Sequence, residues 1–390
     1  MDLNTHTALD LFCGAGGVSE ALKQEFNIVG AVEFDPIIAK SYMLNHGDKH
    51  LIQRDIKSIS ENEWKEIVNL SPKELDLLVA TPPCQGFSSH SRKSATVNDD
   101  ARNNLVLETL KVVNIFEPKY ILFENVPTIV NYKVFHKFIR TLSNIKKDGF
   151  KRNPDKPAYH INFKIVDASN YGVPQKRKRL ILLGKRIDDL PIQEAFVRFP
   201  TGSAPYVVKP VNIWPTENLA PVLGKYLTKF KLRPLKAGEK DIVDSLHVTM
   251  KLFETNLKRI KATPKNGGSR DAWPEDLVLE CHKKKKVSYS DVYGRMNFND
   301  YAPTITTGCI NYSKGRFGHP IQDRAISLRE AALIQTFPIG YKFVGSLDSK
   351  INEGSKGNIA TQIGNAVPVN LAHAFIKSIK QALVSKHLKK

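Results

Sequence analysis

Cysteine is scarce: there are four in 390 residues, at positions 13, 84, 281 and 309. They form no CxxC pair and no Cys/His ligand pattern, so neither a disulfide framework nor a zinc site is suggested. Cys281-His282, just before a lysine run, comes nearest to a metal motif, and no metal is expected. Long apolar runs are also missing. None approaches the roughly 20 residues that a membrane span requires, and the opening "MDLNTHTALDLF" has no charged stretch leading into an apolar core. A cytoplasmic protein with no membrane contact is expected, in which Cys84 stays a free thiol. Negative charge is the third shortage. Against 58 Lys+Arg stand 39 Asp+Glu, a net of +19 with a pI near 9.6. Such an excess repels itself and favours phosphate backbones through counterion release. It points toward nucleic acid, the plain alternative being a well-solvated basic surface. There is no internal repeat and no long low-complexity region.

The first half of the chain alternates two textures. Short apolar runs rich in β-formers, "HTALDLF", "NIVGAVEF", "LDLLVA", "KYILFENV", "HINFKIVDA" and "KRLILLGKR", are separated by helix-like segments such as "NNLVLETLKVVNIF". That rhythm predicts βαβ units and a mainly parallel, Rossmann-like α/β sheet covered on both faces. In such folds ligands bind at the carboxyl ends of strands. The loops "CGAGG", "EFD", "TPPCQG" and "ENV" all follow strands. From about residue 190 prolines recur, lysine becomes dense and the rhythm vanishes, which predicts a second, smaller and irregular domain. Helical patterns return at "SLREAALIQTFP" and end with "PVNLAHAFIKSIKQALVSKHL".

Within this frame several residues carry chemistry. Glycines after the first strand, in "DLFCGAGG" (10–17), let backbone approach a ligand and expose helix N–H groups to it. Glu33 follows by about 20 residues, the spacing of an acid that bonds ribose hydroxyls. With Asp55-Ile56 on the next strand end, these residues favour an adenosine-type cofactor, although each acid alone would pass for a solvated loop residue. Cys84 stands behind a proline pair that stiffens its turn, a poor place for a packing residue and a good one for presenting a thiol. Glu124 emerges from the apolar "YILF", where burial would raise its pKa and let it hold a proton; a helix cap is the bland alternative. Arg177 and Arg179, two apart before a strand, share one face. They would steady a thiolate, bond a carbonyl or grip a phosphate, or else form a charged strand edge.

Taken in order, "DLFCGAGG", "EFD", "DI", "PPCQGFS", "ENV", "QKRKR", a variable stretch, "RMNFNDYAPTIT" and "QIGNAVP" resemble the blocks of the DNA (cytosine-5)-methyltransferases, of the bacterial restriction–modification type. The resemblance spans nearly the whole chain. It implies that the Cys84 thiolate adds to carbon 6 of a cytosine flipped out of the duplex, while Glu124 engages ring nitrogen 3. It implies too that Arg179 bonds the base carbonyl and that Arg177 supports Cys84. S-adenosyl-L-methionine would be the methyl donor and S-adenosyl-L-homocysteine the product. The donor would be held by Phe12, Gly14, Gly16, Gly17, Glu33, Asp55, Ile56, Pro83, Leu105 and Asn365. Because Asn365 lies so far along the chain, the resemblance implies a discontinuous catalytic domain, 1–190 plus 326–390, around a target-recognition domain at 191–325. Gln85, Ser88 and Arg92 would close over double-stranded DNA. Arg295 matches a block that braces the DNA-reading loops and is counted among the DNA-binding residues, while Lys283 and Lys284 would touch phosphates. Cys13, where many relatives have alanine, is expected to be tolerated packing.

A monomer is expected, with a cognate restriction endonuclease as a possible partner. Three rivals remain at this point. A dinucleotide oxidoreductase would leave Cys84 and "ENV" unexplained. A non-catalytic DNA-binding relative would not need Cys84, Glu124, Arg177 and Arg179 intact. A tRNA methyltransferase would tend to have a shorter variable region.

Overall fold

The computed structural model describes residues 6–84, 104–144, 153, 155–187, 213–283 and 291–387. A seven-stranded sheet forms the centre, in the order β3-β2-β1-β4-β5-β7-β6. The strands are β1 (Thr7–Leu11), β2 (Asn27–Val32), β3 (Leu51–Ile52), β4 (Leu77–Ala80), β5 (Tyr120–Asn125), β6 (Tyr159–Asp167) and β7 (Lys178–Arg186). All pairings from β3 to β5 are parallel, whereas β7 runs antiparallel to both β5 and β6. The connection from β6 to β7 contains no crossover helix, only a 3-10 turn at Ala168–Asn170, and without a crossover two neighbours can pair only antiparallel.

Side-chain alternation divides the core in two. Ala8, Leu77, Val79, Leu122, Ile181 and Leu183 face one apolar cluster. Leu9, Leu78, Ala80, Ile121, Phe123, Leu180 and Leu182 face the other. Helices α3 (Glu61–Val68), α4 (Leu105–Phe116) and α5 (Lys133–Leu142) cover the second face through Trp64, Phe116, Phe135 and Phe138. Helices α1 (Gly17–Leu22) and α2 (Pro36–His46) flank the first. With them pack α9 (Leu328–Ile334), α10 (Lys356–Asn365) and α11 (Val369–His387), the last lying against α1. Burying each such Leu, Ile or Phe contributes about 1.5–3 kcal/mol, so the carboxyl-terminal helices are part of the sheet's own core.

Among the described residues, 213–325 hold short α-helices, α6 (Leu223–Leu227), α7 (Glu254–Ala262) and α8 (Glu280–Lys283), a few 3-10 turns and isolated β-bridges. Leu223, Leu246, Met296, Ile305 and Phe317 join the first apolar cluster. A small cluster around Ile260, Trp273 and Tyr312 stands by itself. The irregular texture is as expected, but its apolar contacts merge with those of the sheet, and a separate recognition domain is not marked out. No helix among the described residues is long and apolar enough to cross a membrane.

Candidate active site

The strand order reverses between β1 and β4: the chain first builds outward to β3, then returns to the other side of β1. A crevice opens above such a switch point, at the carboxyl ends of the two strands. The glycine loop leaves β1 there and the Pro-Pro-Cys loop leaves β4. Thr81 ties them, its N–H donating to Leu11 O at 3.3 Å and its hydroxyl to Phe12 O at 3.2 Å. Phe12 has φ 64°, a left-handed conformation unusual for an aromatic residue and of the kind that gathers at ligand sites. Gly14 has φ 58°, and a Cβ built on it would meet nothing within 4 Å. That loop therefore offers open backbone surface. Gly16 is the N-cap of α1 and Gly17 its first residue.

Glu33 follows β2, and one carboxylate oxygen accepts from Asp35 N–H at 2.7 Å. Burial raises its pKa, with that bond and others from Phe34 and Gly14 opposing. Asp55 caps the turn after β3 by accepting from Lys57 N–H at 3.0 Å, and Ile56 packs inward. Pro83 and Leu105 are half-buried. Asn365 is exposed at the end of α10. Its neighbours lie against the glycine loop, for a Cβ on Gly17 would come 3.0 Å from Val367 O and 3.6 Å from Ala366 Cβ. Phe34 gives no sign of itself in the sequence, where only the acids of "EFD" stand out. It is 69% exposed beside Glu33, an apolar ring open to solvent.

On the β4 side, Cys84 is half-buried. Glu124, at the penultimate position of β5, is buried, and its Oε1 lies 2.9 Å from Arg179 Nε. Burial pushes the Glu124 carboxyl up, with Arg179 and Arg177 pulling it back. The Cys84 thiol is also raised, by burial first and by the Glu124 charge second, while Arg179 and Arg177 oppose. The four residues thus form one electrostatic unit. Asn125 fixes it: its amide donates to Pro82 O at 3.0 Å and its Oδ1 accepts from Val126 N–H at 2.9 Å. The loops that follow β4 and β5 are thereby held to each other.

Arg177 is fully buried, unlike a solvent-edge residue. Its guanidinium donates to Ile305 O at 2.7 Å, Gly364 O at 2.9 Å and Ala366 O at 3.2 Å. Two glutamines that sequence reasoning misses complete this junction. Gln175 Nε2 donates to Gln335 Oε1 at 2.8 Å and Gln175 Oε1 accepts from Ile305 N–H at 2.8 Å. Gln335 Nε2 donates to Ile363 O at 2.7 Å and Ala366 O at 3.0 Å. Gly364 is required by the close approach, since a Cβ there would lie 2.4 Å from the Thr306 carbonyl carbon. Gln175 is marked in the sequence only as the first letter of the "QKRKR" block and Gln335 by no block; their bonding role shows only in their spatial meeting.

The residues expected at DNA divide. Gln85, Ser88, Arg92 and Lys284 lie outside the described residues. Lys283 pairs with Glu280 at 2.7 Å. Arg295 fits the expected brace and corrects the expected DNA contact. It is fully buried and donates to the carbonyls of Thr263, His319, Gln322 and Ile260, so it braces the loops and has no free N–H edge for a phosphate. Cys13 is buried packing. No cluster of metal-ligating side chains occurs among the described residues.

A seven-stranded, mostly parallel sheet with its reactive loops at the switch point is the fold of a methyltransferase. A solved structure described as a prophage-encoded DNA modification methyltransferase of Escherichia coli superposes with a TM-score of 0.64 at 21% identity, over 97% of this chain and 100% of that one. The chain belongs to the C-5 cytosine-specific DNA methylase family, whose model matches residues 6–381. The Type II methylase M.HgiDII of Herpetosiphon aurantiacus is 36% identical over 385 residues, 97% of this chain and 96% of that one. The Type II methyltransferase M1.HphI of Haemophilus parahaemolyticus is 28% identical, over 96% of this chain and 86% of that one. The protein is thus a DNA (cytosine-5)-methyltransferase, in a family and fold of S-adenosylmethionine-dependent enzymes.

Proposed function

We propose that this enzyme methylates carbon 5 of one specific cytosine in double-stranded DNA by covalent catalysis from Cys84. The observation that carries the reading is the Glu124–Arg179 pair at 2.9 Å, electrostatically coupled to Cys84 at the switch-point crevice. A stacked, paired cytosine cannot reach that crevice, so the base is flipped out of the duplex. Addition of Cys84 Sγ to carbon 6 opens the 5,6 double bond and moves an electron pair toward nitrogen 3. Glu124, paired with Arg179 in the free enzyme and inclined by burial to take up a proton as the base covers it, engages that nitrogen. Arg179 bonds the base carbonyl, and Arg177 holds the strand end on which Arg179 stands. While that proton sits on Glu124 the charge opposing ionisation of Cys84 is neutralised and both guanidiniums remain to stabilise the thiolate; once Sγ has added, the proton passes to nitrogen 3. Carbon 5 has become enamine-like; loss of its proton and expulsion of the thiolate restore the ring.

S-adenosylmethionine, when bound, supplies the electrophilic methyl group. The open surface over Gly14, with acids on the next two strand ends, fits an adenosine-bearing donor. Phe12, Gly14, Gly16, Gly17, Glu33, Asp55, Ile56, Pro83, Leu105 and Asn365 would hold it, with Phe34 against the ring. The Type II names of the similar bacterial chains support a further reading, that this is the modification partner of a restriction endonuclease.

Sequencing of bisulfite-treated DNA from cells expressing the protein locates the methylated cytosine. A duplex carrying 5-fluorocytosine there should then trap a covalent complex with the wild type and none with Cys84→Ser. That variant should lose methyl transfer while keeping most of its affinity for the duplex. Wild-type turnover by Cys84→Ser would sink the covalent route.

A further inference from the structure

The polar face of α5 is built against the local rules of helix stability. Its N-cap, Tyr132, makes no side-chain capping bond, its first turn carries no acid, and it opens on Lys133, a cation at the positive end of the helix dipole. Lys137 follows at i+4 and Arg140 at i+7, so like charges stack on one face, an arrangement that destabilises a helix. Other helices of the chain do the reverse. Lys65 pairs with Glu61 on α3, Lys111 with Glu108 on α4 and Lys258 with Glu254 on α7. From Asn125 to Asn144 the sequence contains no carboxylate at all. Lys133, Lys137 and Arg140 make no ion pair among the described residues, and Arg140 Nε is buried without a partner.

The opposite face of α5 buries Phe135, Phe138, Ile139 and Leu142, which anchors the helix firmly. With Asn131 and His136, the three cations line a cleft of about 370 Å³. Its position is not neutral: Lys133 comes nine residues after Glu124, and His136 Nε2 lies 2.7 Å from Val130 O in the turn that leads from β5. Local inconsistency of this kind, beside a site and with sound packing beneath, is characteristic of a functional surface.

We propose that the basic face of α5 holds the phosphate backbone of the substrate duplex outside the flipped base pair, lengthening the footprint beyond the recognised site. The proposal rests on duplex DNA as the substrate. Residues 133 to 140 rise about 10 Å along the helix, roughly the axial length of three base pairs. Lys133 and Lys137 act as point charges on successive phosphates, giving affinity and no sequence preference.

The test compares wild type with Lys133→Gln/Lys137→Gln on duplexes whose target pair is flanked by about five or about fifteen base pairs on each side. On the long duplex the variant should bind about tenfold more weakly at moderate salt, and its slope of log K against log salt should fall by about two. On the short duplex the difference should vanish. Its thermal midpoint should not drop, since removing like charges relieves α5. A long-duplex slope equal to wild type, or an equal loss at both lengths, overturns the proposal, as would binding of α5 to an acidic protein with no change on DNA. Failure of the wild type to bind any duplex would overturn the substrate reading itself, and this one with it, and is distinguishable because it needs no variant.

Discussion

The sheet half of the molecule and residues 213–325 solve the same problem in opposite ways. Around β1 to β7 the backbone pairs with itself along ladders, and polar side chains such as Glu124 stand at the strand ends. In residues 213–325 the ladders shrink to isolated bridges at Lys240/Val248, Arg295/Gly318 and Gly318/Ala325. Buried side chains take over the carbonyls that ladders would have satisfied. Arg295 serves four of them, and Trp273, Thr263 and Tyr312 form a chain of bonds at 2.8 and 2.7 Å. Arg324 meets Glu330 through two bonds at 2.7 and 2.8 Å. Buried backbone groups must be paired somewhere, and a chain without strands can meet that demand with guanidiniums. The consequence is that stability in this region is concentrated in a few side chains, whereas in the sheet it is spread over many.

If that contrast holds, damage at a strand end should hit chemistry and spare stability. Glu124→Gln should reduce methyl transfer by about 10²–10⁴-fold, the usual worth of a positioned proton donor. The same change should make Cys84 more reactive, because it removes a negative charge that raises the thiol and leaves Arg179 and Arg177 in place. Alkylation of Cys84 against pH, resolved from exposed Cys281 by peptide mass spectrometry, should show a midpoint shifted downward. A midpoint that stays put or rises would mean that Glu124 is not charged beside Cys84 in the free enzyme.

Damage to a buried brace in the irregular region should do the reverse. Arg295→Met strands four carbonyls, and losing one partner of such a buried network costs about 3–5 kcal/mol. An apolar trim in the sheet, Ile181→Val, should cost about 0.5–1.5 kcal/mol. Denaturant unfolding of the two variants measures both, and limited proteolysis should find the new cleavages of Arg295→Met within 213–325. Equal losses would erase the distinction between the two halves.

The same contrast explains what can be read from the sequence. The short apolar runs in "LDLLVA" and "YILFENV" are buried along their whole length, as strands covered on both faces must be, so β4 and β5 and the loops behind Cys84 and Glu124 are legible from the residue pattern alone. Glycines 14, 16 and 17 are legible because a turn between strand and helix needs them. Gln175 and Gln335 are not, for their amides meet across 160 residues and neither segment has a period that reports the meeting. Arg295 is legible as a brace only through the resemblance, and its place among the DNA-binding residues gives way once the carbonyls around it are seen. The antiparallel β7 escapes a reading by alternation, since its direction is written only in the missing crossover helix between β6 and β7.

Asp10 offers the finest probe of the sheet half, since it is an exception to the orderly pairing there. It stands fully buried at the penultimate position of β1, accepts from Ser19 Oγ at 2.6 Å, and leaves Oδ1 without a partner. Burial pushes its pKa up to about 7, against the Ser19 bond and with help from the Glu33 charge. In the unfolded chain the group titrates near its ordinary value of about 3.9. A folded pKa above the unfolded one stabilises the protein fully below about pH 4, and that contribution is lost as pH rises through about 7. Between pH 5 and pH 8 the wild type should therefore lose up to about 2–3 kcal/mol that Asp10→Asn does not lose. The readout is the difference between the two stability curves across that interval, which a constant offset from the substitution cannot mimic. Parallel curves would mean that water reaches the Asp10 carboxylate, and that the glycine loop sits over solvated chain instead of over the closed core that holds it at the mouth of the crevice.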